Sequence, residues 1–300
     1  MPTADLMAGE SSARRLWFAV APIVFITFWA SGFIGGTLGL RNAEPATFLA
    51  MRSTLTAICA GGLLLFIRPR WPASLRQAGH IMVSGVLLQT VYMTCIMYGM
   101  FLGVPIGVLA LIAGMQPLVT AVAAGRVLGE RISAVQWLGF VLGFAGLAIV
   151  VWERLAFGDE PAIGYWVAAA CPFLITLASL YQKRYCTEMD PWTGTFLQHV
   201  AAVPTQILVA LVVETMAVSW TGELAFALAW LTLLLSFAAV NIYYTLLRRG
   251  EASRVASYFY LSPPISAVMG WAAFGQTFGW SALIGFAVSV VGVALVTTKR

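Results

Sequence analysis

The chain has 300 residues, 60% of them apolar and 10% charged, with 17 Lys and Arg against 12 Asp and Glu. Soluble domains carry about 45–50% apolar and about 25% charged residues, so a soluble enzyme or a freely soluble monomer is excluded. The net charge of +5 needs no nucleic-acid partner, because anionic lipid headgroups offset it.

The predicted elements follow from where charges are missing. Arg14 and Arg15 end a polar tail, 1–15, and precede an uncharged run from Leu16 to Leu40. That run exceeds a signal-peptide core of about 7–15 residues and is read as a retained first span. Ile81–Gly125 and Val255–Thr298 also lack charge. A bilayer crossing takes about 20 apolar residues, so each run holds two spans and a tight turn. The whole chain divides into ten spans near 17–38, 45–66, 80–100, 106–127, 133–152, 162–182, 192–213, 225–247, 254–274 and 279–297. The expected fold is therefore an all-α membrane protein. Counted on this scheme, fourteen of the basic residues share one side with both termini, among them Arg68, Arg126, Lys183 and Arg248. Arg41 and Arg154 lie on the other. Excess Lys and Arg mark cytoplasmic loops, which makes the termini cytoplasmic and the protein a multi-pass resident of the inner membrane. The four cysteines are scattered without metal or disulfide spacing, so neither a metal nor a cofactor is expected.

The chain also repeats itself at an offset of 146. Met115–Val150 falls on Leu261–Val296 without a gap, pairing Pro117 with Pro263, Gly139 with Gly285 and Gly146 with Gly292. The same register pairs Pro45 with Pro191, Thr47 with Thr193 and Tyr98 with Tyr244. Five spans per copy is an odd number, so the copies, 16–155 and 160–298, face opposite ways. Inverted repeats are an architecture of secondary transporters that hold substrate between the halves. Pro117 and Pro263 either kink their helices structurally or free backbone groups toward a cavity. Small residues four apart in the fifth and tenth spans (Gly139, Gly143, Gly146; Gly285, Ser289, Gly292) permit close helix approach. They pair the two spans within one chain or join two chains, leaving monomer and homodimer open.

Three stretches carry a resemblance. "PxxTAxxAxxxLGERISxxQWLGxxLGxxG" from Pro117 to Gly146, "FWASGFIGG" from Phe28 to Gly36 and "EPATFLAMR" ending at Arg52 are similar to the EamA branch of the drug/metabolite transporter superfamily. The resemblance implies a ten-helix bundle with cytoplasmic ends and a central cavity made by spans 1, 3, 4, 6, 8 and 9. It also implies a carrier, most often an exporter of amino acids or related metabolites. Gln276 stands where the family often has glutamate, aligned with Glu130, which is read as a helix cap or as a partner of Arg126 or Arg131.

Polar side chains inside spans usually face the bundle interior. Trp29 and Ser31, Gln89, Tyr92 and Met93, Gln116, then Thr176, Ser179 and Gln182, Asn241 and Tyr244, and Tyr260 with Ser262 supply aromatic faces, amides and hydroxyls on those six spans. The i,i+3 spacing of Gln89 with Tyr92 and of Asn241 with Tyr244 places each pair on one helical face. Together they suit a small amphipathic solute, held in an uncharged polar chamber. Arg52 either snorkels to the surface or pairs with a substrate carboxylate. His199, beside the Arg52 equivalent Gln198, either relays protons or bonds a carbonyl. No span contains Asp, Glu or Lys, so the expected carrier is facilitated or weakly coupled. The same absence speaks against an intramembrane enzyme, and the short tails against a sensor. A drug-efflux or uptake carrier of the same fold is the alternative.

Overall fold

The computed structural model describes residues 12–67, 69–104, 109, 112–152, 162–262, 265, 269 and 280–297. Pro263 and Gln276 lie outside them. Among the described residues the main helical segments are, in chain order, α1 Ser12–Leu40, α2 Pro45–Leu64, α3 Leu75–Phe101, α4 Gln116–Leu128, α5 Ala134–Trp152, α6 Ala162–Tyr185, α7 Pro191–Val213, α8 Gly222–Arg249, α9 Ala252–Ser257 with a 3-10 turn Tyr258–Leu261, and α10 Trp280–Thr297. Among the described residues the only extended pairing is an isolated bridge between Ala43 and Val218. Six of these helices (α1, α2, α3, α6, α7 and α8) are long and apolar enough to cross a membrane, and α5 and α10 contain shorter apolar stretches.

The helix ends follow from local chemistry. Pro45 and Pro191 open α2 and α7 at the first turn, where a missing N–H is harmless and φ is already helical. Asp190 accepts from the amides of Trp192 and Thr193, and Ser74 and Thr221 cap α3 and α8 in the same manner. Gly129, at φ 71°, closes α4 in the left-handed conformation that glycine takes without strain.

Repeat-equivalent helices pack against one another. A Cβ added to Gly146 would lie 2.5 Å from the Ser289 amide, one on Gly139 2.7 Å from the Gly292 carbonyl, and one on Gly292 2.4 Å from the Gly143 amide. Numbers rise along α5 as they fall along α10, so the pair is antiparallel and the glycine faces meet within one chain. α2 and α7 are antiparallel as well. Glu214, just past α7, binds the start of α2, and Thr193, near the start of α7, donates to the Arg70 carbonyl beyond α2.

Two stretches depart from α geometry. Val86–Tyr92 in α3 and Leu231–Ala239 in α8 are π-helical, and the 146-residue offset superposes them. In each, a side-chain amide takes a main-chain carbonyl: Gln206 Nε2 donates to Gln89 O (2.8 Å) and Asn241 Nδ2 to Phe237 O (2.7 Å). Hydrocarbon offers no other partner for such groups.

The outer faces are greasy, as a bilayer requires. Leu208, Leu211 and Val212 on α7, Leu138 and Val141 on α5, and Leu283 and Ile284 on α10 are all exposed.

Gly146→Leu and Gly292→Leu force side chains into backbone across the α5–α10 seam. Each is expected to destabilise by about 1–3 kcal/mol, read as a lower Tm in detergent. Gly62→Ala, where an added Cβ meets nothing within 4 Å, should leave Tm unchanged or raise it slightly, since helix-interior glycine costs about 0.5–1 kcal/mol against alanine.

Candidate functional site

The centre of the bundle is an aromatic cluster. Trp29 of α1 stacks on Tyr92 of α3, with centroids 6.5 Å apart, and meets Phe259 edge-on at 5.2 Å. Phe25 stacks on Tyr243 at 5.3 Å and meets Phe259 at 5.4 Å. The Tyr243 hydroxyl is bonded to Ser179 of α6. Trp29, Tyr92, Met93, Tyr243 and Tyr244 are all buried, so these side chains form one packed cluster in this structure. Ser31 accepts from the Trp230 indole at 3.1 Å and donates to Phe28 O, tying α1 to α8.

Around this cluster lie two polar groups at repeat-equivalent positions. Gln198 of α7 donates to Ser84 (3.0 Å), Gln182 (3.3 Å) and Tyr244 (3.3 Å). An added Cβ on Gly85 would lie 2.4 Å from Gln198 Cα; that close approach of α3 to α7 lets the amide reach all three. At the equivalent position on α2, Arg52 is 1% exposed and donates from Nη2 to Gln89 Oε1 at 2.7 Å. Arg52 therefore does not snorkel, and the bundle interior is not uncharged.

Other expected residues are placed differently. The π stretch separates Gln89 from Tyr92: the first turns to α2, the second to α1, so they do not share a face. Asn241 is committed to Phe237 O and to Thr195. Gln116 is buried at the start of α4 with Nε2 unpartnered, one turn before Thr120, which bonds Thr176 of α6. Tyr260 lies outside the centre, its ring against Gly143 in the smaller α5–α10 cluster. His199 Nδ1 sits 2.9 Å from Thr195 O, the carbonyl contact that was one of its two readings. Pro117 falls in the first turn of α4, where it starts the helix rather than kinking it.

Two polar networks close the bundle ends. At one, Glu130 caps α9 through the Ala252 and Ser253 amides and pairs with Lys183 at 2.9 Å, rather than with Arg126 or Arg131. Lys183 also donates to Gly250 O, and Arg248 to Met189 O, so α4, α6, α8 and α9 are joined at the basic end. At the other, Glu214 accepts from the Ala46 and Thr47 amides and from the Tyr98 hydroxyl, while Glu223 holds Arg41 and Asn42. A crevice of about 240 Å³ opens beside this second network between Thr37, Leu40 and Arg41 of the α1 end and Met100, Phe101 and Val104 of the α3 end.

The sequence pattern of the EamA-like transporter family matches residues 16–152 and again 162–298. This chain belongs to the EamA-like transporter family. With six helices able to cross a bilayer, the EamA-like chain is a multi-pass membrane transporter, not an enzyme. It is 26% identical to "Uncharacterized transporter YvbV" of Bacillus subtilis (strain 168), over 91% of this chain and 89% of that one. It is 25% identical to "Probable terminal-alkyne amino-acid exporter" of Streptantibioticus cattleyicolor, over 96% and 94%. It is 24% identical to "Uncharacterized inner membrane transporter YedA" of Escherichia coli (strain K12), over 91% and 88%. A solved crystal structure superposes with a TM-score of 0.76 at 19% identity, covering 93% of this chain and 96% of that chain, a likeness of fold alone.

Sequence reasoning missed Phe25, Tyr243, Phe259 and Gln206 in this transporter. Gln206 follows Gln198 at i+8, on one side of α7, a spacing that could have marked it. The aromatic residues carry no such signal among so many apolar neighbours.

Burial works against the Glu130 charge, but the Lys183 bond, the Ala252 amide and the Ser253 hydroxyl outweigh it and hold the carboxyl below its ordinary 4.5. A carboxyl with a lowered folded value stabilises fully above 4.5 and ceases to do so as pH falls through that lowered value. Glu130→Gln is thus expected to lose about 1.5–3 kcal/mol at pH 7, the scale of hydrogen bonds to charged groups. The Tm gap from the parent should shrink in a titration below pH 4.5.

Proposed function

We propose that this transporter exports small amphipathic metabolites, amino acids foremost, by alternating access in the cell inner membrane. In this reading the helices are ten membrane spans in two inverted repeats, 16–155 and 160–298, with both termini at the basic, cytoplasmic end. The observation that carries it is one central cluster of aromatic and amide side chains between two separate polar networks. Bonds at one end can part while those at the other persist, which is the physical requirement for alternating access.

Further observations support it. The antiparallel pairs α2–α7 and α5–α10 and the matching π stretches are what a two-fold axis in the membrane plane produces. The names of two relatives favour amino-acid chemistry: the exporter from S. cattleyicolor and "Probable amino-acid metabolite efflux pump" of E. coli, 22% identical. The aromatic rings receive an apolar side chain, the amides a polar head. With no acid in any span, transport is facilitated or weakly coupled. The glycine faces are used up within one chain, which favours a monomer.

Purified protein in proteoliposomes is expected to exchange leucine, methionine, phenylalanine or threonine in counterflow without an imposed pH gradient. Trp29→Ala and Tyr92→Ala should cut exchange at least ten-fold while leaving a cooperative unfolding transition. Exchange of none of the four amino acids would refute the substrate class; exchange only with a pH gradient would refute the uncoupled mechanism. For the topology, cysteines replacing Lys183 and Arg248 should react with an impermeant maleimide from one face, and a cysteine replacing Arg41 from the other.

A further inference from the structure

Arg52 is a cation without a counter-ion. It lies seven residues past Pro45, about 10 Å into the bundle at 1.5 Å per residue, and is 1% exposed. Its Nη2 bonds the neutral Gln89 amide, and its Nε has no partner. The chain has no Asp or Glu in any of its ten spans, so it contains no group that could neutralise this charge at that depth. A buried charge left uncompensated is strongly destabilising, and intramembrane ionisable residues mark substrate pathways.

The neighbouring atoms define what is missing. Gln89 is fully buried. Its Oε1 faces the guanidinium, because the opposite orientation would set donor against donor. Its Nε2 is thereby turned away and is unpartnered. Its carbonyl is held by Gln206, so the residue is anchored at its main chain. The site thus offers a positive charge and an Arg52 Nε–H without a partner; Gln89 Nε2, Gln206 Oε1 and His199 Nε2 are buried and unpartnered as well. A carboxylate answers both the charge and the Nε–H, and charge-assisted pairing of guanidinium with carboxylate is the strong form of this bond. One cation matches a monoanion.

We infer that Arg52 and Gln89 form a carboxylate site, and that the transported solute carries one carboxylate there. The inference rests on the export reading above for the identity of the solute, but the site itself is testable without it.

Thermal shift of the purified full chain is measured with hexanoate, hexanamide and hexylamine, and separately with leucine, leucinamide and isoamylamine. Hexanoate and leucine should raise Tm, with apparent affinities at least ten-fold above those of their amide and amine partners. Arg52→Gln should abolish that preference and, having removed an uncompensated charge, should unfold at the same or a higher temperature than the parent. Gln89→Glu supplies an internal counter-ion, so it should stabilise the protein and block carboxylate binding. Equal shifts from hexanoate and hexanamide, a retained preference in Arg52→Gln, or a large Tm loss in Arg52→Gln would each overturn the site. Hexanoate protection without leucine protection or exchange leaves the carboxylate site standing and overturns the amino-acid reading.

Discussion

Inside a bilayer a main-chain N–H or C=O has no water to turn to, and each group left unpaired costs several kcal/mol. That single condition organises this protein. It makes every described apolar segment a helix, and it confines departures from helicity to places where a side chain answers for them. The two π stretches are the clearest case. Each presents a carbonyl to the interior, and each has an amide aimed at it, from Gln206 on α7 and from Asn241 on α8 itself. A polar residue in a span is then a structural necessity before it is a binding group, and the two roles must be told apart atom by atom.

Told apart in that way, three sets of interior polar residues stand out. Asn241 and Gln206 are engaged with main chain. Gln198 binds Ser84, Gln182 and Tyr244 together, knitting α3, α6, α7 and α8 at one level. Arg52 and Gln89 satisfy each other once and leave Arg52 Nε and Gln89 Nε2 unpartnered. The repeat makes the comparison between the last two sets sharp. Positions 52 and 198 are equivalent, and both reach into the bundle from a helix that packs against its own repeat mate. One carries a neutral amide whose nitrogen has three acceptors within reach; the other carries a charge with one hydrogen-bonded neighbour. Pseudo-symmetry preserved the direction of the side chain and let its chemistry diverge.

The ends of the bundle divide the labour differently. The basic end is held by Glu130, which serves a helix N-terminus and Lys183 at once, and the opposite end by Glu214, which serves another helix N-terminus and Tyr98. Each carboxylate meets the amides at a helix start, where the macrodipole favours negative charge. Each also spans elements from both repeats: Glu130 of the first binds α9 of the second, and Glu214 of the second binds α2 of the first. Bonds that cross between repeats at opposite ends are the ones that a rocking of one repeat against the other would exchange.

The sequence by itself determined the all-helical, membrane-spanning character of the chain, the repeat and the family. All of these depend on composition and on spacing along the chain, which hydrocarbon thickness and the 146-residue offset dictate. It also determined that the α5 and α10 glycines form a contact face, though not with whom. Tertiary structure alone decided the partners. Glu130 finds Lys183, fifty-three positions away, because α4 and α6 end at the same level, and it does so in preference to the sequence neighbours Arg126 and Arg131. Gln89 and Tyr92 part company because a π turn rotates less per residue than an α turn, and no propensity in "VLLQTVY" announces one. Arg52 turns inward because α3 approaches closely enough to offer Gln89, and that distance is a property of two helices packed together, not of either one.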